Sequence, residues 1–231
     1  MSGFAGHTAL LLRHGLRVDF SSPERLISPL LFAATILVIL TFTLGEPEPA
    51  MVISWFVAQS YLTGFFALQI SVSRAFEPDT PDGAFQLLRT YPVSPAAWFL
   101  SRYLLVLLMG SMVLLPTLFL CAFFHSRAGI TLIDGPVVLI AVLSLMGLSA
   151  IGVLLTTMTL QSGARQILYP VLYFPLTTPV LLAAVESTTA HLGQGVTFGA
   201  LMGSWLGLLL IFDVVYFTLG LLLFGELIRA T

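Results

Sequence analysis

The sequence of 231 residues is 58% hydrophobic and 9% charged, and its mean hydropathy is +1.01. A soluble chain of this length has more surface than so few charges can cover, so the composition predicts an integral membrane protein. All nine basic residues are arginine, and without lysine the chain cannot form the phosphate-binding loop of a Walker-type ATPase. The single cysteine, Cys121, excludes an internal disulfide and a cysteine-based metal cluster. The net charge of −2 gives no indication of a nucleic-acid partner.

The N-terminal residues 1–25 precede the first long apolar run. Within them, residues 4–20 carry Arg13 and Arg17 one helical turn apart. This spacing predicts an elbow helix at the membrane interface, with its arginines reaching the lipid headgroups. The apolar patch Ala9–Leu12 is too short for the core of a signal peptide, so we expect the first span to stay in the membrane.

Six apolar stretches are long enough to cross about 30 Å of hydrocarbon, a distance that takes about 20 helical residues. We therefore predict an all-α polytopic membrane protein, with six transmembrane helices in one domain that covers the chain. The predicted spans lie near 26–44, 50–72, 97–124, 136–160, 166–185 and 200–226.

The arginine distribution predicts the orientation of these spans. Eight of the nine arginines, all except Arg127, fall on the side that carries both termini. Cytoplasmic loops of membrane proteins are enriched in Lys and Arg, so we expect both termini and the connection at 73–96 to be cytoplasmic.

The connection at 73–96 contains the polar, proline-rich sequence FEPDTPDGAFQLLRTYPVSP. Asp79 or Thr80 is suited to cap a helix and Pro92 to end it, which predicts a short helix near 82–90, of roughly two to three turns. A helix this short requires a surface to pack against. From the residues alone, that surface is either the lipid headgroup layer or a groove on another protein.

Prolines mark two further features. Ser94 followed by Pro95 predicts the N-cap and the first residue of the third span. The fifth span contains Pro170, Pro175 and Pro179, and each of them removes a backbone donor. We therefore expect this helix to be kinked or broken and to lie inside the bundle, either as a moving element or as a static kink.

Three glycines, Gly199, Gly203 and Gly207, are spaced four residues apart at the start of the predicted sixth span. On one helix they would form a face of small residues that allows another helix to approach closely. The partner is either another helix of the same chain or a second copy in a homodimer.

A search for catalytic groups favours a protein that is not an enzyme. Residues 147–150, GLSA, match the pattern of intramembrane serine proteases. All four histidines fall outside the predicted spans, so this serine has no base at its depth. We predict no catalytic, cofactor-binding or metal-ligating residue. His125 and His191 are expected in external loops, where they are either solvated or ligands of haem iron.

Asp213 is the one carboxylate in the middle of a predicted span. Placing an ionisable residue there costs about 2.5–3.5 kcal/mol on insertion scales, which makes Asp213 a candidate functional residue. The alternative is a protonated carboxyl that acts as hydrogen-bonding glue between helices. In either case we expect Asn to be tolerated for folding and Leu to impair assembly or activity.

Four stretches of the sequence resemble known membrane permeases. The residues from Glu77 to Pro95 resemble the acidic, Gly, Leu-Leu, Pro-Val-Ser pattern of permease subunits in six-helix ABC exporters. The other three are similar to the CcmB family (haem exporter protein B), the membrane subunit of the cytochrome c maturation ABC complex: LRVDFSSPERLISPLLFA at 16–33, LYFPLTTPVLLAAVES at 172–187 and FDVVYFTLGLLLFGELI at 212–228.

This resemblance implies a bacterial inner-membrane permease subunit that works with a separate ATPase (CcmA-like), haem-handling membrane subunits (CcmC-like and CcmD-like) and a periplasmic haem chaperone (CcmE-like). ATP would bind to the partner, and haem would be the transported or handled ligand rather than a cofactor of this chain. ATP hydrolysis would drive haem export or release of the haem-loaded chaperone. A permease for a lipid, polysaccharide or drug is the alternative.

The resemblance also implies roles for individual residues. The short helix in 73–96 would pack in a groove of the ATPase and pass motion to the third span. The coupling residues would be Glu77, Gly83, Phe85, Leu87, Leu88, Arg89 and Pro92. A tryptophan-rich haem-handling motif, which the resemblance assigns to a sister subunit, is absent; Trp98 and Trp205 lie where interfacial anchors are expected.

Overall fold

The structure is a computed structural model that describes residues 3–73, 94–126, 130–159 and 165–230. In these ranges the chain forms helices, turns and loops, without strands. The helices are α1 (Phe4–Ser21), α2 (Glu24–Leu44), α3 (Val52–Ser73), α4 (Pro95–Phe124), α5 (Gly135–Thr159), α6 (Arg165–Gln194), α7 (Phe198–Leu201) and α8 (Trp205–Ala230). A short 3-10 turn, Pro49–Met51, leads into α3.

Among the described residues, six helices are long and apolar enough to cross a membrane, namely α2, α3 with its 3-10 turn, α4, α5, α6 and α8. The predicted all-α fold with six such helices is confirmed. Successive spans run in opposite directions, so the end of α3, the start of α4 and the end of α8 lie together; Gly225 of α8 faces Pro95 of α4. We call this the terminal end of the bundle, and the opposite one the far end.

The first helix lies beside the bundle. Gly15 of α1 faces the side chain of Leu105 in α4, so close that a Cβ at Gly15 would lie 2.8 Å from a leucine methyl. At the end of α1, Asp19 accepts a hydrogen bond from Arg25 of α2, which also forms an ion pair with it. Together these contacts hold the elbow helix against α4 and fix the turn into the first span.

The centre of the bundle is α5 rather than the proline-containing helix α6. In α5, 67% of the most apolar window is buried, against 33% in α6 and 17% in α2. α5 packs against α8, α6, α4 and α3. Ile167 and Val171 on α6 are exposed, so the prediction that the fifth span lies inside the bundle is wrong.

Of the two predicted effects of the prolines on the fifth span, a kink or a break, the break is wrong. α6 is one continuous α-helix that contains Pro170, Pro175 and Pro179. It continues to Gln194, nine residues beyond the predicted end at 185, so most of the expected external loop at 186–199 is helical. α6 packs against α3, α5 and α8, and this packing compensates for the backbone donors that the prolines remove.

Candidate functional site

The predicted coupling residues Glu77, Gly83, Phe85, Leu87, Leu88, Arg89 and Pro92 lie outside the described residues, as does the short helix predicted near 82–90. The exit of that segment is described. The hydroxyl of Ser94 accepts a hydrogen bond from the amide of Ala97 (3.3 Å), and Pro95 is the first residue of α4. The prediction of a Ser-Pro cap at the start of the third span is confirmed.

Immediately after this cap, aromatic residues of α4 pack against α8. We call the set Trp98, Phe99, Tyr103, Phe217 and Phe224 the aromatic junction. The ring centroids of Trp98 and Phe224 are 5.9 Å apart, those of Phe99 and Phe224 are 5.6 Å apart, and those of Tyr103 and Phe217 are 5.0 Å apart. Trp98 is buried among these side chains, so its ring does not face lipid as that of the predicted interfacial anchor would.

A glycine allows the junction to close. The ring of Phe99, which is fully buried, lies over Gly220 of α8 and fills the space that a Cβ there would occupy. One helical turn further, Gly225 faces Pro95, where a Cβ would lie 3.2 Å from the proline ring. The start of α4 and the last turns of α8 are therefore in direct contact.

The junction continues to Asp213, one turn before Phe217 on α8. Tyr103 is close enough to interact electrostatically with its carboxyl group. On the other side, Oδ1 of Asp213 occupies the space beside Gly147 of α5 that a Cβ would fill. Asp213 is buried, and neither of its carboxyl oxygens has a hydrogen-bond partner among the described residues.

The small residues at 147–150 serve this helix contact. Gly147, Ser149 and Ala150 are buried in α5, and Gly147 admits both Asp213 and the side chain of Val180. The structure thus gives the GLSA sequence a packing role.

The three glycines predicted on one face of the sixth span are not on one helix. Gly199 belongs to the short helix α7, Gly203 lies in the turn after it, and Gly207 is in α8, which begins at Trp205. Gly199 has no heavy atom within 4 Å of a virtual Cβ, whereas Gly207 approaches the carbonyl of Met202. The prediction of a continuous small-residue face is therefore wrong.

At the far end, His191 lies in the last turn of α6 rather than in a loop. Its Nε2 is 2.7 Å from Oδ2 of Asp134, and its Nδ1 is 2.9 Å from the carbonyl oxygen of Val196. Both nitrogens face acceptors, so both can donate only when the ring carries two protons. The same Asp134 caps α5 by accepting a hydrogen bond from the amide of Val137 (3.0 Å).

These contacts set the ionisation of Asp134. Partial burial acts to raise its pKa, but the bond from Val137 and the hydrogen bond and charge of His191 outweigh it and hold the pKa below the ordinary value. The aspartate is therefore charged and ties the start of α5 to the end of α6. Sequence reasoning missed this pair because 57 residues separate its members.

His125 is not a solvated loop residue either. It is buried at the end of α4, with Nδ1 2.9 Å from the carbonyl oxygen of Cys121. It borders a cavity of about 640 Å³ at the far end, between the loop after α2 and the ends of α3 and α4, which Phe42, Phe123 and Pro49 also line. Burial argues against the solvated alternative for His125, and His191 lies in a helix rather than in the external loop where it was expected.

In the part of the chain that the structure describes, six apolar spans with a capped entry into the third define a polytopic membrane protein. The family model described as CcmB protein matches residues 7–230, which is nearly the whole chain, so the chain belongs to the CcmB family. That family is a membrane permease component of the haem-export ABC system in cytochrome c biogenesis, and its members are not themselves enzymes. A search of curated proteins gives no match.

Proposed function

We propose that this chain is a force-transmitting permease subunit for c-type cytochrome biogenesis. A separate ATPase (CcmA-like) binds the segment at 73–96, and its movement is passed to α4 and α8. ATP hydrolysis then drives haem export or release of the haem-loaded periplasmic chaperone (CcmE-like), together with CcmC-like and CcmD-like subunits. In this proposal the chain lies in the bacterial inner membrane with both termini and 73–96 in the cytoplasm, as the arginine distribution favours.

The observation that carries the proposal is the aromatic junction at the exit of this segment. Ser94 and Pro95 give α4 a fixed first turn, since proline restricts the backbone and the hydroxyl caps the helix. Trp98 and Phe99 are buried against Phe224 within the next turn. Aromatic pairs of this kind add about 0.5–1.5 kcal/mol each beyond the area they bury, so a displacement of Pro95 moves α4 and α8 together.

This role requires no haem ligand on the chain. Both nitrogens of His191 are engaged, by Asp134 and by Val196. His125 is buried, with Nδ1 at the carbonyl of Cys121. We therefore propose that the partner subunits bind haem, and that this chain passes the movement of the ATPase to α4 and α8.

The first experiment tests the site of ATPase binding. Leu88→Asp places a charge on the apolar side of the predicted coupling helix. We expect the variant to insert in the membrane but to lose both co-purification with the ATPase subunit and cytochrome c maturation. Leu88→Met is the control, because it keeps the apolar surface and should retain both. Normal ATPase co-purification by Leu88→Asp would contradict the assignment of 73–96.

The second experiment separates ATPase binding from transmission. Phe99→Leu removes the ring that lies over Gly220 but keeps an apolar residue there. We expect the ATPase to co-purify as with the wild type while cytochrome c maturation falls. Phe42→Leu, at the far end and 80% exposed, is the matched control and should leave maturation unchanged. Wild-type maturation with Phe99→Leu would mean that the junction transmits nothing, even if the ATPase binds at 73–96.

A further inference from the structure

Asp213 is a buried carboxyl group, and among the described residues no counter-charge lies beside it. It is 7% exposed, and neither oxygen has a hydrogen-bond donor among the described residues. From α4, Tyr103 is the titratable group that interacts with it. From α5, no titratable side chain can face it, because Gly135–Thr159 contains none. On its own helix, Tyr216 donates its hydroxyl proton to the carbonyl of Leu176 and is not available to the carboxyl.

The carboxyl group of Asp213 is closely packed by side chains and backbone of the neighbouring helices. Oδ1 lies in the notch that the missing side chain of Gly147 leaves in α5. Val180 of α6 closes the same notch, with its methyl carbons 3.2 and 3.3 Å from the position of a Cβ at Gly147. Three helices therefore converge on an oxygen atom to which none of them donates a hydrogen bond among the described residues.

A carboxylate is incompatible with such a place, since an unpaired charge in an apolar interior costs far more than a neutral acid. We propose that Asp213 is a proton-binding site of the bundle: it holds a proton while α8 is packed on α5. It releases the proton when α8 moves away from Gly147 and water reaches the carboxyl group. The ligand is the proton itself, and the contact between α5 and α8 controls whether water can reach it. This inference stands whether or not an ATPase drives the movement.

Infrared spectroscopy detects the proton directly, because a protonated carboxyl has a carbonyl stretch that a carboxylate lacks. The full chain is reconstituted in phospholipid nanodiscs, and the spectrum of Asp213→Asn is subtracted from that of the wild type at neutral pH. We expect a protonated-carboxyl band in the wild type that shifts in heavy water and disappears as the pH is raised. A difference spectrum with only carboxylate bands would overturn the proposal.

A second variant tests the gate. Gly147→Ala puts a methyl group where Oδ1 lies and so displaces the carboxyl from the notch. We expect the pH at which half of the band is lost to fall relative to the wild type. Asp134→Asn is the control, since its contacts are at the far end of the bundle, and should leave that pH unchanged. An unchanged midpoint in folded Gly147→Ala would show that the notch does not control the proton.

Discussion

Asp134 and Asp213 both join helices of the bundle, and they do so in opposite ways. Asp134 lies at the far end, where it accepts hydrogen bonds from the amide of Val137 and from His191. Asp213 is buried against Gly147 and has no donor among the described residues. The difference teaches that a carboxylate with hydrogen-bond donors stabilises a helix contact. A buried carboxyl group without such donors lowers the stability of the fold, so its role must be a different one.

Among these variants, Asp213→Leu should lower activity the most, and at the same time it should raise stability. Leucine removes an unpartnered polar group, so we expect the free energy of unfolding to rise by about 1–3 kcal/mol. Cytochrome c maturation should fall by about tenfold or more, which corresponds to about 1.4 kcal/mol in the limiting step. Thermal unfolding in nanodiscs and a maturation assay measure the two.

Asp213→Asn is the matched control for that variant. It keeps the size of the side chain, so assembly and thermal stability should stay close to those of the wild type. Wild-type maturation with Asp213→Leu would remove any functional reason for the carboxyl group.

Gly147→Ala should destabilise the bundle by about 1–3 kcal/mol, because the added methyl group overpacks the contact with Asp213. Asp213→Ala in the same chain frees that space and should recover part of the loss, whereas Asp213→Asn should not. A double-mutant cycle measured by thermal unfolding gives the coupling between the two positions. Strict additivity would mean that the notch and the carboxyl group do not interact.

Asp134 should show the smaller, pH-dependent effect. Asp134→Ala loses the cap of α5, at a cost of about 1 kcal/mol, whereas Asp134→Asn keeps the cap and loses the ion pair with His191. The pKa of Asp134 is lower in the folded protein than its ordinary value. The stability that comes from the charged form of Asp134 is therefore fully present above the ordinary pKa, and it is lost as the pH falls through the lowered one.

The measurement is the melting temperature at several acidic pH values. At neutral pH the wild type should have a higher melting temperature than Asp134→Asn. This difference in melting temperature should disappear as the solution is acidified. Parallel curves for the two proteins would contradict the ion pair as the source.

The fold could be predicted because hydrophobic length alone identifies a helix that crosses lipid. The same property hides the arrangement of the helices. α2 and α5 are both strongly apolar, yet one faces outward and the other is the centre of the bundle. In lipid, an outward face and a core face are equally apolar, so no polar stripe in the sequence distinguishes them. For this reason the prolines led to the wrong central helix.

The sequence by itself determined that the chain is a membrane protein with six apolar spans, that the third span begins at a Ser-Pro cap, and that Asp213 is an unusual residue at its depth. These properties are local, since each depends on neighbours within a few helical turns. Only the tertiary structure decided that Gly147 receives Asp213 and that His191 bonds to Asp134, 57 residues away. Such contacts depend on which helix faces which, and helix packing sets that through the fit of small and large side chains rather than through any periodic signal in the sequence.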